Sequence, residues 1–438
     1  MKNRFYSLMI LVILLFMTSC SSNYGLDRND PVTISLWHNY GGQMKNIMDE
    51  LVDEFNRTVG KEKGIVINIT SISGSATLHE KLSMAANGDP GAPELPDITT
   101  AYPKTALILA NKGLLADFNT YFTEKELSNY VPDFLNEGII KDDKLYVFPV
   151  AKSTEVLFVN KTIFDRFLKD TGITMESLGT FEGIVHAADE YYKWSGGKMF
   201  FMPDSLFNLA QIGFEQLGDQ FIVNERLNLT SDSFNKIWNF YYKSALKGSF
   251  AVFDGYSSDL AKTGEIICSL GSTAGILFYP STVTYLDNTT EEIDYEILPY
   301  PVFDGGKKVA IQRGGGMCVI KSSKQKEYGA TLFIKWLTSP EINLKFTLST
   351  GYLPVTNEAF SKIITGEFDN IQDSKIKRLL STIITMHKEY EFYIPPLFDD
   401  FDNLGDTFEE KMKSAVMESK QGISNKNITI EEFINNYY

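Results

Sequence analysis

Residues 32–57 read VTISLWHNYGGQMKNIMDELVDEFNR, and this stretch contains one complete strand-and-helix unit. Val32–Trp37 is apolar and rich in β-branched residues, which is typical of a strand. Gly41 and Gly42 interrupt that pattern, because glycine favours turns over regular structure. The residues up to Arg57 then place apolar side chains at helical spacing: Met44, Ile47, Met48, Leu51, Val52 and Phe55. The stretch therefore predicts a strand followed by an amphipathic helix over Gln43–Arg57.

The same alternation continues along the next fifty residues. It predicts strands at Ile65–Ile69 and Asp97–Thr99, and helices at Leu78–Ala86 and Thr105–Asn111. Strands that alternate with helices favour a mainly parallel sheet with helices on both faces. Ligands of such sheets sit outside the carboxyl ends of the strands. The loops after Trp37, after the second strand and after Thr99 are therefore candidate ligand loops.

Composition limits the class of protein. The 438 residues include 41 basic and 56 acidic side chains, a formal charge of 41 − 56 = −15. This balance argues against a nucleic-acid surface, which needs clustered basic residues. Hydrophobic residues make up 43% of the chain, enough for a large core of two to three domains. The three cysteines are too few for a disulfide framework or a four-thiolate zinc site.

The N-terminus has the features of an export signal over residues 1–19. Lys2 and Arg4 precede the apolar run Leu8–Met17, which is too short to span a bilayer comfortably. Thr18-Ser19-Cys20 then resembles a bacterial lipobox, with Met17 as a departure from its usual Leu, Val or Ile. We expect a lipidated Cys20 and a polar tether over residues 20–30, anchored to a membrane and facing the periplasm or exterior. An ordinary signal peptide with an incidental cysteine is the alternative.

Residues 142–160, DDKLYVFPVAKSTEVLFVN, followed by Lys161, carry a family resemblance. They resemble the first hinge crossing of the large extracellular solute-binding proteins of ABC importers, apart from Phe158-Val159 where the family has an aromatic pair. Four further segments resemble the same family in the same order: Trp37–Gly41, Asn111–Phe118, Gly314–Glu341 and Thr350–Val355.

The resemblance implies an α/β, two-lobed fold of the type II periplasmic-binding-protein kind, with a hinge and a central ligand cleft. The chain would cross between lobes near Phe148–Ser153, near Val309–Arg313 and around Ile364. The N-terminal lobe would hold residues 31–149 and 312–363, and the C-terminal lobe residues 150–311 and 364–438. The implied partners are a small solute and the transmembrane subunits of an ABC permease. We expect a monomer without catalytic residues, cofactor or metal.

Within the family, the chain looks most like the glycerol-3-phosphate-binding branch, where Tyr352 and Ser153 match ligand contacts. Pro103 stands where that branch has a carboxylate, and an expected C-terminal arginine is missing. The acidic stretch Leu397–Asn403 takes its place and would oppose a phosphate. The expected ligand is therefore a neutral sugar, oligosaccharide or polyol. Glycerol-3-phosphate or its diesters, and a receptor or adhesin without transport, remain alternatives.

A sugar site needs flat aromatic rings for the sugar faces and polar groups for the hydroxyls. Predicted loops place candidates of both kinds, although most aromatic residues of the chain must serve packing. The aromatic candidates are Trp37, Tyr40, Tyr102, Tyr256 and Tyr352, and the polar ones Asn39, Ser153, Thr154, Glu155 and Ser272.

Arg313 and Gly314 allow two interpretations. Glycine lets the backbone approach a ligand and the arginine could hold an anion or a hydroxyl pair. Alternatively, the segment is a hinge strand that needs backbone freedom, with Arg313 in a nearby salt bridge. If the ligand carries a phosphate, Arg313 is the best remaining anchor.

Several kinds of chemistry find no support in the sequence. The four histidines lack metal-binding spacing, and Gly271–Gly275 falls short of a nucleophile elbow because its central residue is Thr273. A glycosidase that uses paired carboxylates is not excluded by composition alone. Cys268 and Cys318 lie in apolar runs, which favours two buried thiols over a disulfide.

Overall fold

The computed structural model of the chain describes residues 24–72, 74–365, 373–422 and 427–438. The predicted export signal, Cys20 and residues 21–23 of the tether lie outside these residues. Among the described residues, no helix is both long and apolar enough to cross a membrane.

The strands are short, and most lie in two separate sheets. In chain order they are β1 (Val32–His38), β2 (Ile65–Ser71), β3 (Ile98–Ala101), β4 (Ile139–Lys141), β5 (Lys144–Leu145), β6 (Phe148–Pro149), β7 (Glu155–Asn160), β8 (Phe201–Pro203), β9 (Ile222–Val223), β10 (Arg226–Leu227), β11 (Cys268–Ser272), β12 (Thr282–Thr284), β13 (Thr290–Glu292), β14 (Tyr295–Leu298), β15 (Val309–Ile311), β16 (Gly316–Val319) and β17 (Glu391–Tyr393).

Helices occupy most of the connections between these strands. In chain order they are α1 (Gly42–Phe55), α2 (Lys61–Lys63), α3 (Ser75–Asn87), α4 (Pro103–Asn111), α5 (Glu124–Leu127), α6 (Pro132–Asn136), α7 (Lys161–Thr171), α8 (Phe181–Trp194), α9 (Leu206–Leu217), α10 (Asp232–Lys247), α11 (Ser257–Lys262), α12 (Lys324–Leu337), α13 (Pro340–Thr350), α14 (Asn357–Ile364), α15 (Ser374–Glu389), α16 (Phe401–Lys420) and α17 (Ile430–Tyr437). A π-helical turn at Asn56–Gly60 and three 3₁₀ turns, Phe118–Thr120, Met175–Gly179 and Thr273–Phe278, complete the helical elements.

The first sheet has the order β2-β1-β3-β16-β6. Strands β1, β2 and β3 are parallel, as predicted, but β16 runs antiparallel to both β3 and β6. Because β6 is antiparallel to β16, it points the same way as β1, β2 and β3, so the sheet is mainly parallel as predicted and only β16 is reversed. The reason is that β16 enters this sheet only after the chain has passed through the second one, and it arrives from the opposite direction.

The second sheet has the order β14-β7-β11-β8, in which β7 is antiparallel to both of its neighbours and β11 is parallel to β8. All six residues of β7 are buried, as expected for a strand with partners on both edges and cover on both faces. In β1, by contrast, Ile34, Leu36 and His38 are buried and alternate with less buried residues.

Two of the predicted crossings lie side by side between the sheets. Ser153 and Arg313 exchange backbone hydrogen bonds: the N–H of Ser153 donates to Arg313 O at 2.9 Å, and the N–H of Arg313 donates to Ser153 O at 2.7 Å. Leu353 pairs with Lys152 in the same region. Gly314 has a φ of +99°, and a Cβ there would lie 2.6 Å from Ala151 O. The hinge therefore requires glycine at this position. The third crossing, expected around Ile364, adjoins residues 366–372, which are not described.

A buried ion pair stabilises the hinge segments. Lys152, with 3% of its side chain exposed, donates through Nζ to Glu137 Oε2 at 2.7 Å and to Gly314 O at 3.0 Å. Gln312 also donates to Glu137. Burial lowers the pKa of Lys152, and Glu137 opposes that shift. Loss of one partner would leave an uncompensated buried charge.

The strands of the two sheets fall within the two predicted lobes, but the assignment of each residue to a lobe stays a prediction. Cys268 and Cys318 are both free and buried, so the favoured interpretation as two thiols is confirmed.

Candidate functional site

A cavity lies where the carboxyl ends of β1 and β3 meet the hinge, as the strand-end argument predicts. It has a volume of about 20 Å³, room for little more than one water molecule. Its lining comprises Asn39, Tyr40, Ser75, Leu78, His79, Thr100, Ala101, Tyr102, Thr105, Ala151, Gly315, Gly316 and Tyr352. All three predicted ligand loops, those after the first, second and third strands, contribute to it.

Three of the five predicted aromatic candidates meet at this cavity. The rings of Tyr40 and Tyr352 are 6.2 Å apart in an edge-to-face arrangement, and Tyr352 stacks on Phe346 at 6.0 Å. Tyr102 is 43% exposed at the start of α4, where Pro103 occupies the first helical position. Burial raises the pKa values of Tyr40 and Tyr352, so both are neutral phenols at physiological pH.

Polar groups lie between the aromatic rings. The N–H of Asn39 donates to Thr100 Oγ1 at 3.2 Å, and the Thr100 hydroxyl donates back to Asn39 Oδ1 at 3.0 Å. Nδ1 of His79 is 2.9 Å from Thr105 Oγ1. Burial and the positive charge of Lys104 lower the pKa of His79, which keeps its imidazole neutral at pH 7. The cavity wall therefore presents amide, hydroxyl and imidazole groups without a net charge.

Arg313 lies beside this wall and is held by an acidic partner. Its Nη1 donates to Glu155 Oε1 at 2.7 Å, and Asn208 Nδ2 donates to the same oxygen at 2.7 Å. Asp204, Tyr102 and Tyr352 also interact electrostatically with Arg313. Gly314 has a positive φ and Arg313 is in a salt bridge, as the hinge interpretation of this segment expects, and ligand contact by Arg313 stays a prediction.

An ion pair joins the two sides of the cleft. Lys104 lies on α4, the helix that follows β3 of the first sheet. Its Nζ is 2.8 Å from Oδ2 of Asp402, at the start of α16. Helix α16 belongs with the second sheet's helices, because Phe401 packs on Phe207 of α9 at a ring distance of 5.3 Å. Both partners of the ion pair also interact electrostatically with the cavity residue His79.

Other predicted site residues lie near the cavity without lining it. Trp37 packs against Ile72, Leu78 and Leu82. Ser153 is occupied by its backbone pairing with Arg313, and the Thr154 hydroxyl donates to Ile311 O at 2.7 Å. Their contact with ligand stays a prediction.

The two remaining candidates lie on the second sheet's side. Ser272 caps the turn Thr273–Phe278 by accepting a hydrogen bond from the N–H of Ala274. Tyr256 is 72% exposed and precedes Ser257, whose N–H donates to Asp204 at 2.8 Å. The contact of Ser272 and Tyr256 with ligand also stays a prediction.

Sequence reasoning missed Ser75, His79 and Thr105 as individual residues, although the strand-end argument pointed to the loop before α3. It also missed Asp204, since nothing local marks a single aspartate at the end of β8. Among the described residues, no group of three or more His, Cys, Asp or Glu side chains could hold a metal ion.

Comparison with known proteins supports the fold and the family. The chain matches a family described as bacterial extracellular solute-binding protein over residues 50–370. The sn-glycerol-3-phosphate-binding periplasmic protein UgpB of Yersinia pestis is 23% identical over 350 residues, 75% of each chain. An ABC substrate-binding protein of Listeria monocytogenes in complex with cycloalternan superposes with a TM-score of 0.71 at 17% identity, covering 93% of this chain and 97% of that one. UgpB of Mycobacterium tuberculosis with glycerophosphocholine gives 0.70 at 16%, covering 92% and 99%.

Two lobes joined by a hinge, with polar and aromatic groups between them, are the arrangement of a solute-binding protein. The chain belongs to the bacterial extracellular solute-binding protein family. This family places it in the periplasm or outside the cell.

Proposed function

We propose that the protein is the substrate-binding subunit of an ABC importer and captures a neutral sugar, oligosaccharide or polyol between its lobes. The observation that supports this proposal is that Tyr40, Tyr102 and Tyr352 line one cavity together with amide and hydroxyl groups. Aromatic faces suit the apolar faces of sugar rings, and the polar groups suit the hydroxyls around the ring edge.

Capture requires no covalent chemistry, so we assign no catalytic residue and no cofactor. The closed protein would dock on membrane permease subunits and release its cargo there. Lipidation of Cys20 would hold it at the membrane, and labelling with a radioactive fatty acid would test this, since Cys20→Ala should abolish the label. A single acyl chain binds membranes only marginally, so a stable anchor would need more than one.

Glycerol-3-phosphate or a diester of it is the second candidate ligand. Relatives such as the Yersinia protein are named for the binding of sn-glycerol-3-phosphate. The ion pair between Arg313 and Glu155 weighs against it, since the guanidinium already has an anionic partner.

A thermal-shift screen of the protein from Ser21 onward tests the proposal with sugars, polyols, glycerol-3-phosphate and its diesters. A ligand at a hundredfold excess over its Kd adds about 2.7 kcal/mol to the free energy of unfolding. We expect a raised melting temperature with at least one neutral sugar or polyol. A shift with glycerol phosphates alone would contradict the sugar assignment.

Two tyrosine variants make the screen specific for the cavity. Tyr102→Ala removes a cavity ring that is 43% exposed, so it should lose the ligand shift with little change in intrinsic stability. Tyr192→Ala is the matched control, because Tyr192 is 36% exposed and lies on α8 away from the cavity. Equal loss of the shift in both variants would count against a site at the cavity.

A further inference from the structure

The charged residues beside the cavity suggest how the site selects its ligand. Arg313 and Lys104 are basic side chains next to cavity residues, and the structure gives each a carboxylate partner, Glu155 and Asp402. An anionic ligand would have to displace or share one of these carboxylates before it could reach a positive charge.

Glu155 is firmly fixed. It is the first residue of β7 and has 3% of its side chain exposed. Arg313 and Asn208 both donate to its Oε1 at 2.7 Å. A carboxylate with two donors, one of them charged, cannot easily turn away when another anion arrives.

Arg313, the ion-pair partner of Glu155, interacts with residues of the cavity. Its side chain is 36% exposed, and it interacts electrostatically with the cavity residues Tyr102 and Tyr352. Gly315 and Gly316, which follow it closely in the chain, line the cavity. Arg313 therefore contributes to the electrostatic environment of a ligand bound in the cavity.

A second carboxylate, that of Asp204, also interacts with Arg313. Asp204 accepts the N–H of Ser257 at 2.8 Å and also interacts electrostatically with Arg313 and Glu155. Burial raises the pKa values of both Glu155 and Asp204, and the positive charge of Arg313 opposes both shifts. One guanidinium thus faces two carboxylates, and a bound phosphate would add further negative charge.

We propose that Glu155, assisted by Asp204, is the specificity-determining residue that occupies Arg313 and makes the cleft select uncharged solutes over phosphorylated ones. This inference deepens the proposed function and rests on its assignment of the cleft as the ligand site. Glu155 is a positioning residue in this scheme, because it acts through Arg313.

The test compares the wild-type protein with Glu155→Gln by calorimetric titration with glycerol-3-phosphate and, in parallel, with glycerol. Glutamine keeps the shape of the side chain and removes its charge. We expect Glu155→Gln to bind glycerol-3-phosphate at least about tenfold more tightly than wild type, a change smaller than the full cost of like-charge juxtaposition. The gain should be absent for glycerol and should shrink as salt is added.

Glu291→Gln is the matched control, because it removes the carboxylate from another arginine pair, Arg166–Glu291 at 2.9 Å, on β13 and away from the cavity. It should bind like wild type. An unchanged affinity of Glu155→Gln for glycerol-3-phosphate would overturn the inference. So would a wild-type protein that already binds this anion as tightly as the variant does.

Thermal unfolding first establishes that Glu155→Gln is folded. If it is not, Asp204→Asn asks the same question by removing the second carboxylate, and a folded Asp204→Asn without any gain overturns the inference. The two proposals can fail separately: a gain of anion binding in Glu155→Gln, when no neutral solute of the screen binds, supports the role of Glu155 and contradicts the sugar assignment.

Discussion

At the scale of single residues, burial changes the pKa of a histidine next to the cavity, His38. His38 ends β1 directly before the cavity residues Asn39 and Tyr40, and none of its surface is exposed. Its Nδ1 accepts the N–H of Tyr40 at 3.1 Å, while Nε2 has no hydrogen-bond partner within the described structure. Burial lowers the pKa of His38 from 6.5 to about 4; the negative charge of Asp49 opposes this shift, and the positive charge of Lys45 adds to it. The strand that positions the cavity therefore depends on a neutral imidazole.

This histidine should make stability depend on pH. The unfolded chain binds the proton with a pKa near 6.5 and the folded chain only near 4, so stability is lost as pH falls through this window. The shift corresponds to about 3 kcal/mol as an upper limit. Urea unfolding between pH 7 and 4 should show a shallower loss in His38→Asn than in wild type, because asparagine keeps an acceptor and does not titrate.

His186→Asn is the control, since His186 is exposed on α8. Its profile should follow that of the wild type. Parallel profiles for His38→Asn and wild type would show that the imidazole is not what weakens the fold at low pH.

At the scale of elements, the two sides of the cleft meet through the ends of two helices. Lys104 lies in the first turn of α4 and Asp402 in the first turn of α16, and the pair bridges the cleft close to His79. Helix α16 is tied to the second sheet's helices, since Glu409 accepts the Ser205 hydroxyl at 2.6 Å. A link between these helices should favour the closed arrangement of the lobes.

Removing this link should speed the release of bound solute. With 60% of the Asp402 side chain exposed, the pair is expected to contribute no more than about 1 kcal/mol. Asp402→Asn should therefore raise the dissociation rate of a ligand found in the screen by up to about fivefold, measured by stopped-flow fluorescence. Asp259→Asn, which breaks the exposed pair Lys262–Asp259 within α11, should leave the rate unchanged. Equal rates for Asp402→Asn and wild type would show that the pair does not hold the cleft closed.

At the scale of the whole molecule, paired crossings join the two sheets. The described cavity, at about 20 Å³, is far too small for a sugar, so a solute needs a wider opening between the lobes. The crossings through Lys152–Ser153 and Arg313–Gly314 are paired strand segments, which can bend together while each sheet stays intact. A ligand that contacts both lobes would then bias the molecule towards the closed state.

Small-angle X-ray scattering should detect this closure. We expect the radius of gyration to fall when the protein is saturated with a ligand identified in the screen. Tyr102→Ala, which should not bind, ought to show no change under the same conditions. An unchanged radius for the wild type at saturation would contradict hinge closure around the ligand.

The sequence by itself determined the local elements and the region of the site. Periodicity predicted β1, α1, β2, α3, β3 and α4 to within a few residues at their ends, because apolar spacing within one element decides which face is buried. The strand-end argument pointed to the loops that line the cavity, where the candidates Asn39, Tyr40, Tyr102 and Tyr352 meet, and their contact with ligand stays a prediction.

Only the tertiary structure decided what depends on distant parts of the chain. The antiparallel entry of β16, the Glu155–Arg313 pair across 158 residues and the Lys104–Asp402 pair across 298 residues have no local signal. Each arises because the chain runs from the first sheet into the second and then back again, which brings residues that are far apart in the sequence into contact. A charge can be read from a sequence, but its partner, and hence whether it is available to a ligand, depends on which crossings the fold brings together.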